Sequence, residues 1–79
     1  MTIERLKQIL VEASENKISL SDINEDSDIV DNLNFNSIMY LKAVMQIEDE
    51  SGVELDDEDI DTISKVSQLL NVINSKQNS

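Results

Sequence analysis

Ser37 is the hydroxyl with the most telling surroundings. It stands in Leu33-Asn34-Phe35-Asn36-Ser37-Ile38, where a stretch rich in Asn, Asp and Ser gives way to helical spacing of apolar residues. With Asn36 as the cap, Ser37 is the first helical residue. Its hydroxyl then lies beside unpaired backbone N–H groups at the positive end of the helix dipole, a favourable place for a phosphodiester. An exposed site of this kind stabilises an anion by only ~0.3–1 kcal/mol. Taken alone, a serine at a helix start is simply part of the cap.

Other chemistry is narrow. The chain has no histidine and no cysteine, so a Ser/His or Cys/His nucleophile, the common zinc ligands and any disulfide are excluded. There is no P-loop and no GxGxxG. An enzyme would have to work with carboxylates and lysines alone. Nine acids and no base fill the segment from Glu48 to Asp61: Glu48, Asp49, Glu50, Glu54, Asp56, Asp57, Glu58, Asp59 and Asp61. Such a run is commonly a solvated surface, and clustered carboxylates also bind Mg²⁺ or Ca²⁺ weakly. The EF-hand pattern fails: from Asp22, position six is Ser27 and position twelve is Leu33. No metal site is assigned.

The elements that must position Ser37 follow from periodicity. Ile3, Leu6, Ile9, Leu10 and Ala13 mark a first helix, with Thr2 as cap and a stop near Asn16. Residues 17–36 read as a long loop pinned by Ile18, Leu20, Ile23, Ile29, Leu33 and Phe35, with one helical turn near Ile29 to Leu33. A second helix runs from Ser37 to Ser51, its apolar stripe Ile38, Leu41, Val44, Met45 and Ile47, and Gly52 ends it. Val53 and Leu55 alternate with Glu54 as a short tie-down. Asp56 or Asp57 caps a short third helix reaching about Ile63, with Ile60 and Ile63 inward. Ser64 caps a fourth carrying Val66, Leu69, Leu70 and Ile73, and residues 74–79 are a frayed tail. The expected fold is all-α: three main helices and one short one, in one domain over 1–79. No internal repeat or domain boundary is visible.

Charge bounds the partners. Seventeen acids face six bases, for a net charge of −11. Such a surface repels nucleic acid and anionic lipid and attracts proteins with basic patches. A hydrophobic content of 39% argues against wholesale disorder. The sequence begins at Met1 without a basic-then-apolar leader and holds no run long enough to span a bilayer. A cytoplasmic monomer is expected.

The segment Leu33–Ile38 resembles the L-G-x-D-S-[LI] attachment motif of the acyl and peptidyl carrier protein family. The resemblance extends over nearly the whole chain. It includes the order helix, long loop, helix, short helix, helix, and the stretch Ile47-Glu48-Asp49-Glu50-Ser51-Gly52-Val53-Glu54-Leu55, which looks like the family's acidic helix end, glycine and I-E-[IL] continuation. The resemblance implies a four-helix carrier bundle and not a catalyst. It implies a 4'-phosphopantetheine arm placed on Ser37 by a phosphopantetheinyl transferase, whose terminal thiol holds acyl or aminoacyl groups as thioesters. It also implies a loading enzyme and downstream synthases or transferases as partners, in fatty acid, polyketide or nonribosomal peptide type biosynthesis.

Two positions depart from the motif. Asn34 replaces the usual glycine, and Asn tolerates left-handed backbone better than most residues. Asn36 replaces the aspartate that helps the transferase and its metal engage; it keeps the capping shape and loses the charge. The docking surface implied by the resemblance comprises Ile38, Met39, Lys42, Glu48, Asp49 and Glu50. Met39, read as exposed, and Lys42 stand at positions commonly acidic in fatty-acid carriers, which leans the assignment towards a specialised pathway. The aliphatic core either opens to admit an acyl chain or is simply well packed. The competing functions are an unmodified acidic helical module that regulates a basic protein partner, and an acidic metal-binding regulator.

Overall fold

The computed structural model describes residues 1–77 and contains, among them, four α-helices: α1 (Ile3–Ala13), α2 (Ser37–Ser51), α3 (Asp57–Thr62) and α4 (Val66–Gln77). The expected all-α bundle of three main helices and one short one is what forms. Thr2 caps α1, its side chain accepting from the Arg5 N–H. The chain leaves α1 at Ser14 and turns through left-handed Glu15 and Asn16. Ser14 is buried, and its Oγ donates to the Val11 carbonyl at 2.7 Å. Gly52, at φ +73, closes α2 by donating its N–H to Glu48. A capping box of Asp56 and Asp59 opens α3.

Three polar pairs zip α1 to α2. Arg5 forks onto Glu50, Gln46 donates to Glu12 at 2.8 Å and Lys42 donates to Glu15 at 2.9 Å. Partners rise along one helix as they fall along the other, so the two helices run antiparallel. Between them and α4 lies the core. Leu6, Ile9 and Leu10 of α1, Val44 and Ile47 of α2, and Val66, Leu69 and Ile73 of α4 are all buried.

The segment between α1 and α2 is long but not loose. Ile23, Ile29, Leu33 and Phe35 are buried. Its polar residues close local turns: Asn24 Oδ1 accepts from the Asp26 N–H, and Asp28 Oδ1 from the N–H groups of Val30 and Asp31. The expected turn near Ile29–Leu33 is present, with the Asn32 and Leu33 N–H groups both donating to the Asp28 carbonyl. A 3-10 turn at Leu20–Asp22, framed by a Ser19–Asp22 capping box, was not foreseen.

Three expectations are corrected. Ser64 does not cap α4. The helix starts at Val66, and its first two N–H groups donate to loop carbonyls, Val66 to Ser27 and Ser67 to Glu25, both at 3.0 Å. The loop thus caps α4 with its own backbone. The tail is not frayed from Asn74: α4 continues through Gln77, and the amino terminus of Met1 donates to Asn74 and Gln77 side chains. Residues 78 and 79 lie outside the described residues. Finally, Ile38, Leu41 and Met45 do not face the core. They are 65%, 55% and 65% exposed, while Ala43, Val44 and Ile47 are buried.

Candidate functional site

The turn into α2 is built by alternation. Leu33 and Phe35 are buried on either side of exposed Asn34, which takes φ +57. A left-handed turn at the position where the resembled motif has glycine is therefore made here by asparagine, as its short polar side chain permits. The Phe35 N–H donates to the Ile29 carbonyl at 3.2 Å, which ties the turn to the loop. Asn36 follows in extended backbone, and its Oδ1 accepts from the Met39 N–H at 2.9 Å. This is the expected cap.

Ser37 is consequently the first residue of α2, and it is exposed. Among the described residues, its backbone N–H and that of Ile38 meet no acceptor. The contrast with α4, whose leading N–H groups are consumed by the loop, is direct. The mouth of α2 is an open donor pair at a helix positive end.

Beside Ser37 is a cavity of about 210 Å³ lined by Ser37, Tyr40, Leu41 and Ile60. It lies where α2 faces α3. Ligand pockets typically measure ~300–1,000 Å³, so this one is small. Tyr40 is half-buried, its hydroxyl oxygen is closed to solvent, and no hydrogen-bond partner reaches it among the described residues. Burial pushes the phenol's pKa up.

The docking residues read from the sequence separate into groups. Ile38 is exposed and shares one face of α2 with Leu41 and Met45, which lie three and seven residues on. Leu41 and Met45 were assigned to the core, so this face was missed. Met39, taken as exposed, instead packs half-buried against the core. Lys42 is exposed and paired with Glu15, whose carboxyl it holds below the usual range by a hydrogen bond. Glu48 Oε2 accepts from the Leu55 N–H at 3.0 Å, and Glu50 is held by Arg5. Asp49 remains exposed. Among the described residues, no group of three or more carboxylates converges in an arrangement suited to a metal ion, and no helix is long and apolar enough to cross a membrane.

The family model described as the phosphopantetheine attachment site matches residues 4–73. The chain belongs to that family. It is similar to the acyl carrier protein of Solidesulfovibrio magneticus, at 32% identity over 74 residues, covering 94% of this chain and 92% of the relative. It is also similar to the acyl carrier proteins of two Nitratidesulfovibrio vulgaris strains, each at 28% identity, covering 94% of this chain and 95% of the relative. The protein is thus an acyl carrier and not a catalyst, and the family's cofactor is a covalently attached 4'-phosphopantetheine. Acyl carriers engage a phosphopantetheinyl transferase and biosynthetic enzymes. The residues at the mouth of α2 fit such a group: an exposed hydroxyl, two N–H donors without acceptors and a small apolar cavity. When bound, the arm supplies a thiol that the cysteine-free chain lacks.

Proposed function

We propose that Ser37 is the attachment residue and that the carrier serves a specialised acyl or aminoacyl pathway, of polyketide, nonribosomal peptide or dedicated transfer type. One observation carries the attachment: Ser37 is exposed at the open end of α2, beside unpaired backbone N–H groups and a small cavity. In the loading step Ser37 Oγ bonds the phosphorus of coenzyme A, yields its proton to the transferase, and adenosine 3',5'-bisphosphate leaves. No base of this chain is required, which suits a protein without histidine. Asn36 holds the first turn of α2 in place and presents an amide where the transferase and its metal ordinarily meet a carboxylate.

The specialised pathway is supported by the exposed face of α2. Ile38, Leu41 and Met45 offer apolar contact, and the first turn of α2 holds no acid. Lys42 and Asp49 flank that face. Partners reading an acidic helix find little to hold before Glu48, whereas partners with an apolar patch and a basic rim fit. Met39, Glu48 and Glu50 then act by setting the pose of α2 as much as by direct contact.

The test is intact mass after incubation with coenzyme A, Mg²⁺ and a broad-specificity transferase. The expected result is one phosphopantetheine gained by the native chain and none by Ser37→Ala. Asn36→Asp provides a second background in case the amide slows loading. No gain in either background sinks the assignment and leaves an unmodified acidic interaction module.

A further inference from the structure

The turn into α2 is held from the far end of the chain. The Phe35 N–H donates to the Ile29 carbonyl at 3.2 Å, and the Ile29 N–H donates to the Ser64 carbonyl at 2.9 Å. Ser64 is fixed in turn by one side chain. Gln68, exposed on the first turn of α4, turns its Oε1 back onto the residues before the helix. That oxygen accepts from the Ser64 N–H at 2.8 Å, the Ser64 hydroxyl at 3.0 Å and the Lys65 N–H at 3.0 Å. It is the reach-back half of a capping box. Three donors converge on an oxygen with two lone pairs, so the whole Ser64–Lys65 turn is gathered on one atom. The Val66 and Ser67 N–H groups, bonded to the carbonyls of Ser27 and Glu25, hold the same loop beside that turn.

We propose that Gln68 is a positioning residue for Ser37: by gathering the Ser64–Lys65 turn it fixes the Ser64 carbonyl, and through Ile29 and Phe35 that carbonyl sets how the chain enters Asn36 and Ser37. Its effect on loading rests on Ser37 being the attachment residue. The route runs between buried side chains, since Ile29, Leu33 and Phe35 all lie in the core. A close-packed interior transmits a shift and does not absorb it. The receiving end is the Asn36 cap, whose Oδ1 must stay on the Met39 N–H at 2.9 Å. A rotation just upstream of Asn36 opens that bond and moves Ser37 with it. Loss of the Gln68 side chain removes no buried group, because the side chain is exposed. It therefore loosens the clamp and leaves the core intact.

Two variants and two readouts test this. Gln68→Ala removes the acceptor, and Gln68→Glu restores one of the same reach. Amide hydrogen exchange, followed by NMR on the unmodified protein, reads the route. In Gln68→Ala, exchange at Ser64, Ile29, Phe35 and Met39 should speed by roughly 2–12-fold, the worth of one hydrogen bond. The amides of Arg5 and Asp59, held by the caps of α1 and α3, should keep their native rates. Gln68→Glu should return all of these amides to native behaviour. Loading by the broad-specificity transferase, in the native or the Asn36→Asp background and below the melting range of every variant, should lose a similar factor in kcat/KM in Gln68→Ala and recover it in Gln68→Glu. Faster exchange at Arg5 and Asp59 as well makes Gln68 a general stabiliser and overturns the proposal, as does a change that stops at Ile29. Faster exchange at Phe35 and Met39 with unchanged loading overturns the effect on Ser37. If neither background gains the arm, the attachment reading falls and takes the loading role with it. The exchange pattern needs no arm, so it separates that failure from a failure of the route.

Discussion

Replacing Asn36 separates two things the residue does. Its Oδ1 accepts the Met39 N–H at 2.9 Å, satisfying one of the donors that α2 cannot pair internally. Asn36→Ala removes that acceptor and leaves the fold otherwise untouched, since the side chain is exposed. The expected loss is about 1 kcal/mol, within a range of ~0.5–2 for such caps. In a domain of this size that lowers the melting temperature by roughly 4–8 °C. Asn36→Asp keeps the acceptor and adds a negative charge at the positive end of α2, a gain of ~0.3–1 kcal/mol at low salt. Against it stands the net charge, which goes from −11 to −12 with one more carboxylate. The local effect wins at the first turn because long-range repulsion is screened beyond ~10 Å at ~0.1 M salt. The sign with pH is definite. The new carboxylate, bonded to an N–H and facing the dipole, has a folded pKa below its unfolded value of ~3.9. Its gain is present above that unfolded pKa and disappears as pH falls through the folded one. Thermal melts by circular dichroism at neutral and acid pH, at low and high salt, measure all of this. The reasoning is refuted if Asn36→Ala melts with the native chain, or if Asn36→Asp melts below it at neutral pH and low salt. In the same variants, Asn36→Asp should gain the arm from a broad-specificity transferase faster than Asn36.

Other perturbations test the frame around the site. Ile47 is fully buried and Met45 is 65% exposed on the opposite face of α2; Ile47→Ala should cost ~2–5 kcal/mol by chemical denaturation, and Met45→Ala no more than ~0.5. Equal losses would mean that the helix faces the other way. Asn34 holds φ +57, so Asn34→Ala should lose about 1 kcal/mol in a left-handed position and Asn34→Gly should lose less; an alanine variant as stable as the native chain contradicts a strained turn. Lys76 lies 3.0 Å from Asp59 and, with the Asp56 backbone second, holds that carboxyl below its usual range, while Asp59 raises Lys76. The melting gap between the native chain and Asp59→Asn should therefore be full between the two unfolded pKa values. It should close as pH falls through the lowered Asp59 value or rises through the raised Lys76 value. A gap indifferent to pH excludes the ion pair as its cause.

The helix starts and stops were legible because they are local. Thr2, Asn36 and Asp56 each present a side-chain oxygen to the backbone N–H three residues on, and Gly52 supplies the left-handed stop, so neighbours along the chain are enough to predict them. The start of α4 was not legible for the same reason inverted. Its caps come from Ser27 and Glu25, some forty residues away, and no sequence window joins them to Val66. The 3-10 turn was hidden because three residues carry no periodicity.

The sequence by itself determined an acidic, cysteine-free helical protein with a serine at the head of its second helix. Those properties depend on composition and on short-range chain geometry. Only the tertiary structure decided which way α2 faces. That helix is apolar on two sides, Ile38, Leu41 and Met45 on one and Ala43, Val44 and Ile47 on the other, so periodicity permits either side inward. The pairs joining Arg5, Glu12 and Glu15 to Glu50, Gln46 and Lys42, with the packing of α4, select the second. The resulting fold leaves the first side open to partners, ties three of the predicted docking charges, Lys42, Glu48 and Glu50, to groups within the chain, and brings Tyr40 and Ile60 to one cavity beside Ser37. Burial is a property of what the rest of the chain places nearby, and a helix read alone does not contain it.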